Sequence, residues 1–175
     1  AHLDKTYSVA ALPSGPASDQ GALRDAIDAM ARHKSQRSID DMQRRAGAAL
    51  DRAIACGVSL LRTHVDIGVA ADLDNLRALL DLKRARSDSI DLRLTVLSDP
   101  GTPEGFALSQ QALALGADAI GGAPALTPDP QAGIDACFNL AGDSGADIDL
   151  HIDENEDPDS PCLAYLAAQV LRRQW

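Results

Sequence analysis

The sequence predicts an α/β fold in which a parallel sheet is built from repeated strand–helix–strand units. Apolar segments of strand length alternate with amphipathic helical segments, at a repeat of roughly thirty residues. Glycine and proline mark the changes from one type of segment to the next. Apolar residues make up 45% of the 175 residues, which is enough for a packed core. A closed (β/α) barrel and a flavodoxin-like open sheet would both show this alternation, so periodicity leaves both open.

Local signals predict the individual elements in order. The first segment with loop composition covers residues 7–20, where Pro13, Gly15 and Pro16 lie among small residues. Ser38 and Asp41 then resemble a capping box and begin a helix that Gly57 ends. The remaining elements are predicted as strand 58–66, helix 72–86, strand 90–97, helix 103–115, strand 117–121, helix 128–141, strand 148–152 and helix 162–172.

Composition argues against several classes of partner. The net charge of −10 disfavours a nucleic-acid partner, because binding to phosphates requires a basic surface. No apolar run approaches the roughly 20 residues of a membrane span, so no membrane partner is expected. Cys56, Cys137 and Cys162 are odd in number and form neither a zinc-ligand spacing nor a disulfide framework, which predicts a cytoplasmic protein. The absence of a glycine-rich dinucleotide or phosphate loop weakens a nucleotide-binding interpretation.

Ionisable side chains cluster where the predicted strands end, which is the end that holds the working groups of a parallel barrel. These residues are His2, Asp4, His64, Asp66, Asp99, His151, Asp153 and Glu154. Taken singly, a histidine at a strand end can be a structural hydrogen-bonding residue, and the acidic run 153–157 can be a solvated loop at a helix start. The His151-x-x-Glu154 spacing favours chemistry, because an imidazole can hold a metal while the carboxylate transfers protons.

Four segments resemble motifs of one enzyme family. Residues 1–4 (A-H-L-D) are similar to the tail of a His-x-His-Leu-Asp motif, and residues 61–66 contain R-T-H-V-D. Residues 116–121 match G-A-D-x-x-G, and residues 149–154 match D-x-H-x-D-E. In this order and spacing, the segments resemble the cytosine deaminase-like branch of the amidohydrolase superfamily.

The resemblance implies a fold and an activity. Residues 1–175 would form an incomplete portion of a (β/α)8 TIM-type barrel, from the end of strand 1 to helix 5, within one catalytic domain. The implied activity is metal-dependent hydrolysis of C–N bonds, with deamination of a small cyclic amidine or aminopyrimidine-like substrate by metal-activated water. An amidase or N-dealkylating hydrolase on the same scaffold stays open, and so does a non-catalytic α/β binding domain.

The resemblance also implies roles for individual residues. His2 and His151 would bind one divalent metal ion, for which zinc or iron is preferred. Glu154 would be the acid/base that takes a proton from the attacking water and passes it to the ring nitrogen or the leaving amine. Three residues would lie beside the site as supports for these groups: His64, Asp66 and Asp153.

Two departures from the family pattern matter. Where the family has a Pro-Gln pair, the aligned residues are Ser98-Asp99-Pro100, and we expect Asp99 to face the substrate. A carboxylate only accepts hydrogen bonds, so it favours a substrate with extra N–H donors or positive charge over cytosine. The family's first metal histidine, sixth-strand histidine and eighth-strand aspartate have no counterpart in the chain. We therefore expect a fragment that alone binds metal weakly and turns over little, and whose open sheet edges favour a homo-oligomer.

Overall fold

The computed structural model describes residues 1–8, 22–68, 73–155 and 157–175. Beyond Ser8, the predicted loop over 7–20 lies outside these residues. Two short 3-10 helices are present, Leu3–Lys5 and Pro124–Leu126. The helices and strands are α1 (Ala22–Gln36), α2 (Ile39–Ala55), β1 (Leu60–Asp66), α3 (Asp74–Ala85), β2 (Asp91–Ser98), α4 (Pro103–Leu115), β3 (Ala119–Gly122), α5 (Pro130–Ser144), β4 (Asp147–Ile148) and α6 (Cys162–Arg173).

The strands form one parallel sheet in the order β1-β2-β3-β4, which confirms the predicted α/β architecture. Ala1 adds one residue to the outer edge of β1, because its nitrogen donates to the Arg62 carbonyl (3.3 Å) and its carbonyl accepts from the His64 N–H (2.9 Å). At the other edge, the N–H groups of Asp149 and His151 donate to carbonyls of β3, each at 2.9 Å. The β4 ladder therefore continues to His151.

Cap residues begin and end the helices. The Ser38 side chain accepts the N–H of Asp41 at 3.1 Å and caps α2. Thr102 caps α4 in the same way, and Gly116 ends that helix in the left-handed conformation, with φ +112°. The predicted bounds of α4, residues 103–115, are confirmed. Capping side chains and a left-handed glycine satisfy backbone groups that the helix would otherwise leave unpaired.

Three elements differ most from their prediction, and the bounds of the others agree to within two residues. Helix α1 was not predicted. Helix α5 begins two residues later than expected, because Asp129 accepts the Ala132 N–H and takes the N-cap position, and it extends to Ser144 before Gly145 (φ +72°). Regular β4 geometry covers only Asp147–Ile148, although its ladder hydrogen bonds reach His151, one residue before the predicted end of the strand.

The two faces of the sheet have different roles. In β1, Thr63 and Val65 are fully buried, and Val65 belongs to a core that includes Leu79 of α3 and Leu94 of β2. Successive side chains of a strand point to opposite faces, so Arg62, His64 and Asp66 lie on the face away from these helices. Among the described residues, no helix is both long and apolar enough to cross a bilayer.

Candidate metal centre

Three histidines meet at the carboxyl ends of the strands. His2 directly follows the Ala1 pairing, His64 lies on β1, and His151 ends the extended β4 ladder. The Nε2 atoms of His2 and His151 are 3.0 Å apart. The ring centroids are 5.2 Å apart for His2 and His64, 5.1 Å for His2 and His151, and 4.4 Å for His64 and His151. One ring nitrogen of each residue lies within 4.8 Å of the others, so this histidine cluster has the proximity that a shared ligand requires.

The electrostatic environment keeps two of these imidazoles neutral at pH 7. Burial lowers the pKa of His2 to about 3, and the positive charge of Lys5 and the neighbouring imidazoles act in the same direction. Burial also lowers the pKa of His64, although the negative charge of Asp149 opposes this effect. A neutral imidazole has a free lone pair, which is the form that binds a metal ion.

The histidine cluster fits a divalent cation by two tests. A zinc–imidazole bond is about 2.0–2.1 Å long, so nitrogens 3.0 Å apart can contact the same ion. The buried His2 Nδ1 has no hydrogen-bond partner among the described residues. No hydrogen bond at Nδ1 from these residues therefore fixes the orientation of the His2 ring, and coordination of a metal ion at Nε2 would fix it. The prediction that His64 supports the ligands rather than binding the ion stays a prediction.

The segment that carries His2 is fastened to the end of β1 by polar contacts. The Leu3 N–H donates to the Thr63 hydroxyl at 2.9 Å. The carboxylate of the fully buried Asp4 accepts the backbone N–H of Asp66 at 3.2 Å. The Lys5 ammonium lies 3.0 Å from the Asp66 carboxylate. Asp66, predicted as a support for the site, therefore holds the chain just after His2.

Glu154 and Asp153 lie in the turn after His151. The Asp153 carboxylate accepts the Ser160 hydroxyl at 2.6 Å and the N–H groups of Cys162 and Leu163, both at 3.1 Å, at the start of α6. These hydrogen bonds, the one from Ser160 first, lower the pKa of Asp153. Asp153 therefore fixes the turn, and its neighbour Glu154 is left half-buried.

A lysine links this turn electrostatically to the histidine cluster. Burial lowers the pKa of Lys5, while the negative charges of Asp4 and Glu154 act in the opposite direction. The Lys5 charge also acts on His2. Lys5 is not among the site residues predicted from the sequence, although it directly follows the A-H-L-D motif.

Asp99 lies in a different environment from the histidine cluster. Its Oδ1 accepts the Gly101 N–H at 3.2 Å and faces the backbone of Gly133, in the first turn of α5. Together with Pro124 and Cys137, it lines a narrow crevice between the ends of β2 and β3 and α5 that has no room for a water molecule. In the part of the chain that the structure describes, the contacts of its carboxylate are with this wall. The prediction that Asp99 faces the substrate stays a prediction.

A carboxylate below the histidines was also missed. Asp149 Oδ2 accepts a hydrogen bond from Arg62 Nη1 at 3.1 Å, and Oδ1 lies 3.5 Å from His64 Nε2. The sequence signal is its position two residues before His151, which places both side chains on one face of the extended strand. That alternation could have identified Asp149 as a neighbour of the histidine cluster.

Known proteins resemble the chain in sequence. A pterin deaminase from Rhizobium rhizogenes is 30% identical over 175 residues, covering 98% of this chain and 39% of that protein. An N-isopropylammelide isopropyl amidohydrolase from a Pseudomonas species is 26% identical over 161 residues, covering 86% of this chain and 39% of that protein. No protein-family model matches the chain. The chain thus spans about two fifths of the length of these relatives.

Solved structures agree with these relatives. A 5-methylcytosine deaminase from Klebsiella pneumoniae, liganded with 5-fluorocytosine, superposes with a TM-score of 0.84 at 30% identity, covering 99% of this chain and 42% of that one. An N-isopropylammelide isopropylaminohydrolase from Burkholderia multivorans gives a TM-score of 0.76 at 25% identity, covering 99% of this chain and 44% of that one. The alternating parallel architecture is therefore part of a TIM-type barrel. The chain is therefore similar to part of these deaminases and amidohydrolases, which supports its resemblance to the cytosine deaminase-like branch of the amidohydrolase superfamily.

Proposed function

We propose that residues 1–175 form part of a catalytic barrel domain in a protein that hydrolyses C–N bonds. The substrate class is a small cyclic amidine or aminopyrimidine, and the reaction is deamination. The observation that carries this proposal is the convergence of His2, His64 and His151, with Glu154 in the adjoining turn. The deaminase names of two relatives support the same reaction class.

We propose that His2 and His151 bind one divalent cation, with zinc or iron preferred. Imidazole nitrogen accepts several transition metals, so the donor set fits both ions. When bound, the cation would supply Lewis acidity, which makes a water molecule more acidic and the substrate carbon more electrophilic. Asp66 and Lys5 keep the His2 segment in place against the end of β1.

The acid/base role belongs to Glu154. In a deamination, the oxygen of water adds to the carbon that bears the amino group, and the C–N bond then breaks to release ammonia. Glu154 transfers the first proton that water loses to the ring nitrogen, and then transfers the remaining hydroxyl proton of the tetrahedral adduct to the departing amine, so both protons of water are accounted for. Asp153 supports this transfer because its contacts with the start of α6 fix the turn next to Glu154.

Asp99 is the residue that we propose to influence substrate choice. It follows β2 at the same end of the sheet as the histidines, and its carboxylate favours N–H donors or a positive charge on the ligand. The Asp99→Asn variant should change the relative rates on substrates that differ in their N–H groups. Unchanged rates and preferences would remove Asp99 from the substrate site.

The remaining proposals concern location and partners. A cytoplasmic location agrees with Cys56, Cys137 and Cys162, which are all free thiols. The proposed partner is a small-molecule substrate rather than a nucleic acid or a membrane surface. Association into a homo-oligomer stays a prediction, because the structure describes one copy of the chain.

Metal analysis combined with an amine-release assay tests the proposed function. The whole protein that contains residues 1–175 should purify with a bound divalent metal and release ammonia from members of a panel of aminopyrimidines, aminotriazines and pterins. His151→Ala should lose the metal, whereas Glu154→Gln should keep the metal and lose turnover. His33→Ala, a histidine of α1 outside the histidine cluster, is the matched control and should do neither. A metal-free wild-type protein, or an active His151→Ala variant, would overturn the proposal.

A second reaction has specific support. Two relatives are named as hydrolases of N-isopropylammelide, which favours the N-dealkylating alternative, hydrolysis at an N-alkylated amino group, on the same scaffold. The C–N bond to the ring breaks in both reactions, so the released product separates them: an unsubstituted amino group leaves as ammonia and an N-alkylated one leaves as an alkylamine. N-isopropylated and unsubstituted aminotriazines should therefore be compared in one assay.

A further inference from the structure

Two layers of side chains cross the concave face of the sheet between β1 and the extended β4 strand. Arg62 and His64 are two residues apart on β1, and Asp149 and His151 are two residues apart on the facing strand, so each pair shares one face. In the lower layer, Arg62 pairs with Asp149, and in the upper layer the rings of His64 and His151 are 4.4 Å apart. Asp149 contacts both layers.

The two oxygens of the Asp149 carboxylate face different partners. Oδ2 accepts from Arg62 Nη1 at 3.1 Å, and Oδ1 lies 3.5 Å from His64 Nε2. That ring nitrogen is buried, and no hydrogen bond to it is formed within the described parts of the chain. This separation is longer than the roughly 2.7–3.2 Å of an N–H···O hydrogen bond, so the carboxylate acts on the ring nitrogen as a nearby negative charge.

A purely structural role explains this arrangement poorly. The Arg62 side chain is 48% exposed, and an ion pair with so exposed a partner adds little to stability. The His64 side chain is only 12% exposed, so which of its nitrogens bears the proton is decided by its neighbours in the protein. Asp149 can only accept hydrogen bonds when ionised, and it therefore favours the tautomer with hydrogen on Nε2.

We propose that Asp149 is the positioning residue for His64, with Arg62 holding its carboxylate in place. Asp149 keeps the hydrogen of His64 on Nε2 and fixes the ring that packs against His2 and His151. Groups behind the ligands of a metal site orient those ligands and contribute to metal affinity. The effect on a cation rests on the proposed function, whereas the effect on the tautomer concerns the metal-free protein.

The tautomer of His64 is measurable by NMR on metal-free protein labelled with ¹⁵N-histidine. A His64→Gln spectrum identifies the His64 resonances, and long-range ¹H–¹⁵N correlations show which nitrogen is protonated. Wild-type His64 should carry its hydrogen on Nε2. In Asp149→Asn, the side-chain amide can donate to Nε2, so the tautomer should move toward Nδ1–H, as happens when an amide replaces a histidine-orienting aspartate in serine proteases. Asp147→Asn, an exposed carboxylate on the same strand, should leave the tautomer unchanged.

Two results would overturn the proposal: a wild-type His64 protonated on Nδ1, or an Asp149→Asn variant with an unchanged tautomer. The first needs only wild-type protein, so it decides the question even where a variant does not fold. A shift of similar size in Asp147→Asn would also count against Asp149, because the effect would not be specific to it.

Cobalt(II) titration gives a second readout besides activity. Affinity should fall about 10- to 100-fold in Asp149→Asn, the usual effect of removing a group that supports metal ligands from behind, and should not change in Asp147→Asn. Arg62→Lys keeps a cation beside Asp149 and should retain more affinity than Arg62→Met. Equal affinity in Asp149→Asn and wild type would contradict the effect of Asp149 on metal binding. If wild-type protein binds no cobalt, the proposed function fails, and the tautomer measurement still decides the role of Asp149.

Discussion

His2 and His151 lie at opposite edges of the sheet, and their Nε2 atoms are 3.0 Å apart. Four strand spacings separate the two edges, from the Ala1 pairing through β1, β2 and β3 to β4. At about 4.8 Å per spacing, a flat sheet would hold the edges roughly 19 Å apart. Two imidazoles cannot bridge that span, so the sheet must curve strongly and bring its edges toward each other. This curvature favours the barrel over the flavodoxin-like open sheet, which the sequence pattern alone left open.

Gly121 permits the contact between β3 and the strand that carries His151. A Cβ atom at this position would lie 2.6 Å from the Asp149 carbonyl oxygen and 2.9 Å from Thr95 Cγ2. Gly121→Ala should therefore displace residues 149–151, lower the free energy of unfolding by about 1–3 kcal/mol and weaken metal binding. Chemical denaturation and cobalt titration measure the two effects.

The matched control for that substitution is Gly47→Ala in α2. A Cβ atom there would meet Leu82 Cδ2 at 3.7 Å, an ordinary contact, and alanine favours a helix. This variant should gain about 0.5–1 kcal/mol of stability and keep its cobalt affinity. A Gly121→Ala protein as stable and as metal-competent as Gly47→Ala would show that the close approach at β3 is unimportant.

Asp118 is expected to contribute to stability without contributing to the histidine cluster. It precedes β3, accepts the Leu94 N–H at 2.7 Å and pairs with Lys83 Nζ at 2.6 Å. Asp118→Ala leaves a partly buried amide and an ammonium without an acceptor and should cost about 1–3 kcal/mol. Thermal or chemical denaturation should show this loss, and cobalt affinity measured on the folded variant should be unchanged.

The control for Asp118 is Asp81→Ala. Asp81 pairs with Arg84 on the surface of α3, where both side chains are more than half exposed. Its removal should change stability little, because solvent screens such pairs. Loss of cobalt affinity in folded Asp118→Ala would place Asp118 in the metal centre, contrary to expectation.

The pKa of His2 predicts how stability depends on pH in the metal-free protein. His2 has a pKa of about 3 in the folded state, compared with 6.5 ordinarily, so between these values the unfolded chain binds a proton that the folded protein does not. The contribution of His2 to the free energy of unfolding should therefore be complete above pH 6.5 and decrease as the pH falls toward 3. Below pH 3 His2 should cause no further change. Urea denaturation at a series of pH values measures this dependence.

Two variants separate His2 from the other groups that titrate in acid. His2→Asn should make the loss of stability between pH 6.5 and 3 less steep, because its imidazole no longer contributes. Lys5→Met should raise the pKa of His2, since the Lys5 charge lowers it in the wild-type protein. An unchanged slope in His2→Asn would mean that His2 is not buried as a neutral imidazole.

Local signals in the sequence predict the helix bounds well where a side chain or a glycine satisfies the unpaired backbone groups at the end of the helix. The bounds of α4 follow from Thr102, Pro103 and Gly116, and α2 begins at the Ser38 cap. Helix α1 was missed because no capping motif marks its start in the sequence. The α5 start was misplaced because Pro128 and Pro130 are both acceptable first-turn residues, and the Asp129 side chain selects the second.

The site was predictable only in part from the sequence. Motif order placed His2, His151 and Glu154 together, and the structure brings His2 and His151 into contact. Strand periodicity specifies which face a side chain occupies but not how strongly the sheet curves. The Arg62–Asp149 contact across that curvature therefore had no sequence signal beyond the position of Asp149 before His151.

The strands separate two tasks along their length. Asp118 fastens the amino end of β3 to Lys83 and β2, whereas the three imidazoles occupy the carboxyl ends. Exchange of the loops around the imidazoles is therefore expected to leave the opposite rim, and with it the scaffold, intact. Such separation makes loop grafting a rational route to redesign.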